Sequence, residues 1–299
     1  MRLLFPFFLV VFLFPNRCHA SDPPDLCNSL SDFHGNFSTQ LPASAPDTQA
    51  HFSYVSYFNS SWADVKGVMT APVRWKSSDW ILFSSAIAAS VIISTQDQAI
   101  YRFFERNRSA RTDNLSGYGL EPWGSGVYSL PLLGSMFIYG SAGNNTKAKV
   151  TALAGFKSYL VAGVLANMTK NIIRRHRPYQ SADHTDGSQS HYLFGGPLGQ
   201  RGYASFPSGH TTAAFAVASS VSYIYRDKPW VPVLAYGLAG LAGLSRVHDQ
   251  KHWGSDIIMG AFFGWAIGRF MAKSDEARFI PVSTVSGPGI GIQIGKIRH

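Results

Sequence analysis

Apolar stretches of helical length recur along the chain at roughly 79–106, 124–141, 150–176, 208–225, 230–244 and 255–272. Turn signals separate them: Gly117 and Gly119, Asn144-Asn145, the Gly/Ser-rich 181–205 stretch, and Asp227-Lys228-Pro229. The pattern predicts packed helices joined by polar turns, with no internal repeat. Late in the chain Ile290, Ile292 and Ile294 alternate with Gly or Gln. That is a weak strand signal, and a lone strand needs a partner.

The N-terminal region has a different pattern. Residues 1–20 read as a secretory signal: Arg2 gives a positive start, and Leu3 to Phe14 form an apolar run interrupted by Pro6. Cys18-His19-Ala20 carries small residues where a signal peptidase selects them, so cleavage after Ala20 is expected. An uncleaved anchor is the alternative, but the run is short for a span. Residues 21–75 are polar and rich in Ser, Asp, Pro and Asn, and read as a loosely structured leader. The expected organisation is a signal (1–20), a leader (21–75), a helical domain (76–275) and a short tail (276–299).

Hydrophobic residues make up 45% of the 299 and charged residues 14%, well under the charged share of soluble domains. This favours a tightly packed helical protein or one that touches a membrane. The net charge of +9 suits a polyanionic partner. The basic residues form no dense runs of the kind nucleic-acid tails carry, so phosphate in a pocket is the better reading. The two cysteines, Cys18 and Cys27, make no disulfide framework once the signal is removed, and no Cys/His spacing suggests zinc.

Three clusters carry chemistry. In Lys170-Asn-Ile-Ile-Arg-Arg-His-Arg177-Pro178 the two outer cations lie about two helical turns apart, on one face, and Pro178 stops the helix. They can hold phosphate oxygens, although a basic helix end is the plainer account of this cluster alone. In Pro207-Ser208-Gly209-His210, Ser208 is a good N-cap, and the helix start offers backbone N–H groups to an anion. His210 is placed to protonate a leaving oxygen. In Ser245-Arg246-x5-His252-x3-Asp256, the His and Asp share a helical face. A carboxylate on one imidazole nitrogen leaves the other nucleophilic, and Arg246 adds a third cation.

Each cluster is ordinary alone, but together they form an ordered set. The chain resembles the type 2 phosphatidic acid phosphatase family, whose pattern is K-x6-R-P, P-S-G-H and S-R-x5-H-x3-D. That family also includes class A acid phosphatases and vanadium-dependent haloperoxidases. The resemblance covers roughly 79–272 and is most specific over 170–256. It implies an all-α fold, a single helical bundle of about six core helices with the active site at one end. Residue by residue it implies His252 as nucleophile, Asp256 as its orienting partner and His210 as acid. Lys170, Arg177 and Arg246 become the phosphate clamp, assisted by Ser208 and Gly209, and no metal or other cofactor is implied. The expected partner is a phosphorylated lipid or a small phosphoester, with contact to a membrane surface and none to nucleic acid. A vanadium-dependent haloperoxidase and a non-catalytic phosphate- or lipid-binding protein are the alternatives. The latter would be expected to lack His252 or Asp256, and both are present.

Alternating directions for the apolar helices bring all three clusters to one end of the bundle. The longest runs without Asp, Glu, Lys or Arg are 80–96, 122–146, 211–225, 229–245 and 257–268, and the third helix contains Lys157. A span needs about 20 apolar residues. The expectation is therefore a non-spanning, extracytoplasmic bundle, with a membrane-integral one as the alternative. Arg102, Arg106, Arg108 and Arg111 are expected at the site end. His184, His191, Asp183 and Asp186 in 179–206 read as part of a loop or lid before a metal cluster.

Overall fold

The computed structural model describes residues 54–180, 193–194, 198–199 and 201–279. The expected signal, the Ile290–Ile294 alternation and the His184–His191 segment lie outside the described residues. The helices are α1 (Tyr54–Met69), α2 (Ser77–Ser94), α3 (Asp97–Arg106), α4 (Ala110–Asn114), α5 (Glu121–Ser125), α6 (Ser129–Ala142), α7 (Thr146–Ile173), α8 (Gly209–Ile224), α9 (Trp230–His248) and α10 (Gly254–Phe279). Among the described residues the fold is all-helical, without strands.

Three elements differ from the pattern-based expectation. Residues 54–69, expected in a loose leader, form α1, which packs Val65 and Val68 against Ile267 and Met271. The stretch expected as one helix over 79–106 breaks at Thr95, whose hydroxyl donates to the Ile92 carbonyl at 2.7 Å. The break lets α3 begin at Asp97, which turns into the buried interior. The helix expected from 124 starts at Ser129, because Gly126 adopts φ +96°. A side chain at Gly126 would be strained and would also meet Tyr159, whose hydroxyl donates to the Ser125 carbonyl at 2.6 Å.

The centre of the bundle is the α8–α10 pair. Gly260, Gly264 and Gly268 form a stripe on α10 one turn apart, facing the α8 backbone. A Cβ at Gly260 would lie 2.8 Å from the Ser208 carbonyl oxygen, and one at Gly264 or Gly268 would run into the Thr212 or Ala216 carbonyl. Hydroxyls stitch the contact. Ser219 donates to Trp265 O at 2.8 Å and Ser220 to Gly268 O at 3.1 Å, while Ser158 of α7 meets Ser220 at 2.8 Å.

Two surfaces bear on the membrane question. Lys157, which weighed against a span, is buried and paired with Asp64 at 2.7 Å and Asp275 at 2.6 Å. Arg278 and Ser274 also bind Asp64. Three helices, Ser77–Ser94, Thr146–Ile173 and Trp230–His248, are long and apolar enough to cross a membrane. They turn apolar side chains outward: Trp80, Ile81, Val91 and Ile92 on α2, Leu160 and Val164 on α7, Val233 and Leu234 on α9. The uncharged runs looked like core in the sequence because composition cannot say which way a residue faces.

Gly264→Val is expected to destabilise the bundle by about 3 kcal/mol or more, since the added atoms have only the Thr212 carbonyl to displace. Thermal melting of the detergent-purified protein measures this. A melting temperature equal to wild type would refute the close approach.

Candidate active site

The three sequence clusters meet at one end of the bundle. Lys170 lies in the last turn of α7, which ends at Arg174 in the left-handed conformation. The chain then passes through Arg175, His176 and Arg177, whose amide donates to Gly202 O at 2.9 Å. Ser208 caps α8, its hydroxyl accepting from Thr211 N at 3.4 Å and Thr211 Oγ1 at 2.8 Å. Arg246 ends α9, and the 249–253 turn folds back so that the His252 amide donates to Arg246 O at 3.2 Å. The Ser208 amide donates to Asp256 O at 3.1 Å, which joins the start of α8 to the first turn of α10. A Cβ at Gly209 would lie 3.3 Å from Lys170 Nζ, so the first residue of α8 faces the end of α7.

His252 is buried, with Nδ1 3.6 Å from Asp256 Oδ2. That is longer than a hydrogen bond, a common state of catalytic pairs before substrate arrives. It leaves Nε2 as the nitrogen turned away from the carboxylate. Burial lowers the His252 pKa from 6.5 to about 3; Asp256 opposes the shift, while Lys170 and Arg177 add to it. His252 is therefore neutral, with a lone pair to offer, across the physiological range.

Asp256 is immobilised from several sides. Its Oδ2 accepts from Trp253 N at 2.9 Å and from the Ser205 hydroxyl, and its Oδ1 accepts from Arg175 Nη1. Arg175 also reaches Asp97 Oδ2 through Nη2 at 2.8 Å and the Ser255 hydroxyl through Nη1 at 2.8 Å. Asp97 in turn accepts from the Ser255 amide at 2.9 Å. Burial pushes the Asp97 pKa up to about 6 against the pull of Arg175. Trp253, buried behind His252, donates to His176 O at 2.8 Å.

The cations are arranged differently. Lys170, Arg177 and Arg246 are near enough for their charges to bear on one another. Arg246 is aimed by Asp249, 3.1 Å from Nη1, and Asp249 accepts from Ser116 at 2.7 Å. The Nε atoms of Arg177 and Arg246 are buried with no hydrogen-bond partner among the described residues. Buried guanidinium donors left unspent beside a lysine and a helix start suit an anion. No group of three or more His, Cys, Asp or Glu among the described residues is placed to hold a metal ion.

Four residues that the sequence reading did not select belong to this site. Arg175 sits inside the K-x6-R spacing, where its neighbours Arg174 and His176 gave no reason to prefer it. Asp97 and Glu121 come from distant elements, and no spacing links them to the motifs. Asp249, three residues beyond Arg246, aims its guanidinium. Glu121 Oε1 lies 2.7 Å from His210 Nε2.

Two outcomes follow. Arg175→Met leaves Asp97 and Asp256 buried without their cation and is expected to cost about 3–5 kcal/mol, read as a lower melting temperature. An unchanged melting temperature would mean the bridge is dispensable. For His252, the folded pKa lies below the unfolded value, so the unfolded chain takes the proton first. The stability it contributes is full above pH 6.5 and is lost as pH falls toward 3. Between pH 7 and pH 4 wild type should lose about 3 kcal/mol that His252→Asn retains. Equal melting losses in the two proteins would contradict a buried, neutral His252.

The model of the PAP2 superfamily matches residues 152–280, a segment containing Lys170, Arg177, His210, Arg246, His252 and Asp256. A protein of Porphyromonas gingivalis named "Lipid A 1-phosphatase" is 42% identical over 65 residues, covering 21% of this chain and 15% of that one. A protein of Schizosaccharomyces pombe named "Probable diacylglycerol pyrophosphate phosphatase 1" is 30% identical over 156 residues, covering 44% of this chain and 56% of that one. A Rhizobium etli "Lipid A 1-phosphatase" is 29% identical over 208 residues, covering 65% and 82%. The chain thus spans less than two thirds of the first two relatives and most of the third.

Proposed function

We propose, from a chain whose residues 152–280 match the model of the PAP2 superfamily, that this protein is a membrane-integral lipid phosphatase. It releases phosphate from a lipid phosphomonoester or pyrophosphate through a phosphohistidine, without a metal. The observation that carries this reading is the pairing of a neutral, buried His252 with unspent buried donors on Arg177 and Arg246. Nucleophile and anion clamp occupy the same end of one bundle.

The chemistry runs in two steps. The His252 Nε2 lone pair bonds to phosphorus while the P–O ester bond breaks and its electron pair goes to the leaving oxygen. The His210 imidazolium gives that oxygen a proton. A water then gives a proton to the now neutral His210 as its oxygen bonds to phosphorus, and the N–P electron pair returns to His252. Lys170, Arg177 and Arg246 hold the equatorial oxygens, where charge is spread in the transition state. Asp256 orients the ring and compensates the positive charge His252 gains on attack.

A lipid substrate is supported by two facts. Three candidate spans expose apolar side chains to their surroundings, and the named relatives act on lipid phosphates by their descriptions. With α2, α7 and α9 in the bilayer, the site sits at one of its surfaces, where a headgroup phosphate arrives by lateral diffusion.

The full chain, purified in detergent with EDTA, should release phosphate from lipid phosphates in mixed micelles. His252→Ala should reduce the rate by at least about a thousandfold. Equal rates for the two proteins, or loss of wild-type activity in EDTA, would defeat the proposal.

A further inference from the structure

We infer that Glu121 is the positioning carboxylate of the general acid: it orients the His210 ring and favours its protonated form, so that the enzyme can expel a poor leaving group. The inference rests on the phosphatase reading above and concerns a residue far from the motifs in sequence.

The geometry is specific. Glu121 opens α5, and its Oε1 lies 2.7 Å from His210 Nε2 and 3.7 Å from Arg246 Nη1. Its other oxygen accepts from the Ser125 hydroxyl at 3.3 Å, within the same short helix. The placement is built into the packing. A Cβ at Gly124 would lie 2.8 Å from His210 Cβ and 3.0 Å from the His210 carbonyl oxygen, so α5 presses its backbone against the first turn of α8. A larger residue at 124 would push Glu121 away from the ring.

The electrostatics supply the reason. Burial, together with the charges of Arg246 and Lys170, lowers the His210 pKa from 6.5 to about 4, against the pull of Glu121. Of the groups that bear on it, Glu121 is the one of opposite sign. Without Glu121, every neighbouring charge would oppose the proton that this ring must carry to the leaving oxygen. The site therefore holds two carboxylate–histidine pairs with opposite duties. Asp256 orients the ring that attacks, and Glu121 orients the ring that hands over a proton.

The role predicts a dependence on the leaving group. A lipid phosphomonoester expels an alkoxide, which needs a proton. The pyrophosphate of the same lipid expels a phosphate oxygen, which needs little help. In the full-length enzyme, Glu121→Gln should slow the monoester about a hundredfold, within the range of general acid catalysis, and the pyrophosphate by no more than about threefold. Glu121→Asp should recover part of the monoester rate. The pyrophosphate rate also reports that the variant is folded. Should the Gln variant fail to fold, the same monoester-to-pyrophosphate ratio is read on the Asp variant. A similar fall on both substrates would make Glu121 merely structural and overturn the inference, as would no fall on either. His252→Ala, run alongside, separates the two readings: if it keeps its activity, the phosphatase mechanism itself has failed, and if it is inactive on both substrates, the Glu121 comparison stands alone.

Discussion

The contact on which the structure depends is the one between two backbones, α8 against α10. The stripe Gly260, Gly264, Gly268 lets the helices approach until carbonyls of one face the bare Cα positions of the other. That approach fixes the Ser208 amide on the Asp256 carbonyl. The anion-facing start of α8 and the carboxylate of α10 thereby become one rigid unit, and α7 and α9 bring their cations to it. Small residues give tight helix contacts even in lipid, where no hydrophobic drive pulls helices together. The same packing suits a bundle with apolar outer faces.

Charge is handled in two opposite ways at the two ends. At the far end Lys157 is compensated by Asp64 and Asp275, which ties α1 and α10 to α7. At the site end the anionic side chains are committed to positioning: Asp256 to His252, Asp249 to Arg246 and Glu121 to His210. The clamp cations keep donors in reserve. Spare positive charge therefore gathers at the site end, whereas the other end is neutralised within itself.

The sequence disclosed the site better than its surroundings. Lys170, Arg177, Ser208, His210, Arg246, His252 and Asp256 lie in short blocks whose internal spacing survives as helical geometry, and the structure brings those blocks to one end of the bundle. Arg175 was hidden by its neighbours, since the residues of the Arg174-Arg175-His176-Arg177 run look alike until one is buried. Asp97 and Glu121 were hidden by distance: each reaches the site because a helix breaks nearby, at Thr95 and Gly126, and neither break follows from hydrophobic periodicity. The orientation of α2 was also illegible. Its serines are scattered around the helix rather than gathered on one side, and a helix without an amphipathic stripe names no inner face.

The Lys157 cluster and the Arg175 bridge share one property. Each is a cation held by two carboxylates, one from an early element and one from α10: Asp64 and Asp275 for the first, Asp97 and Asp256 for the second. Since α10 follows the other described helices in the chain, translation delivers Asp64, Asp97 and both cations before either final partner. A nascent chain stopped short of residue 254 holds each buried cation with half its complement of counter-charge. The α10 helix supplies the second carboxylate at both ends as well as the glycine stripe against α8. A single helix thus completes the counter-charge at both ends and sets Asp256 beside a His252 that the preceding chain already carries.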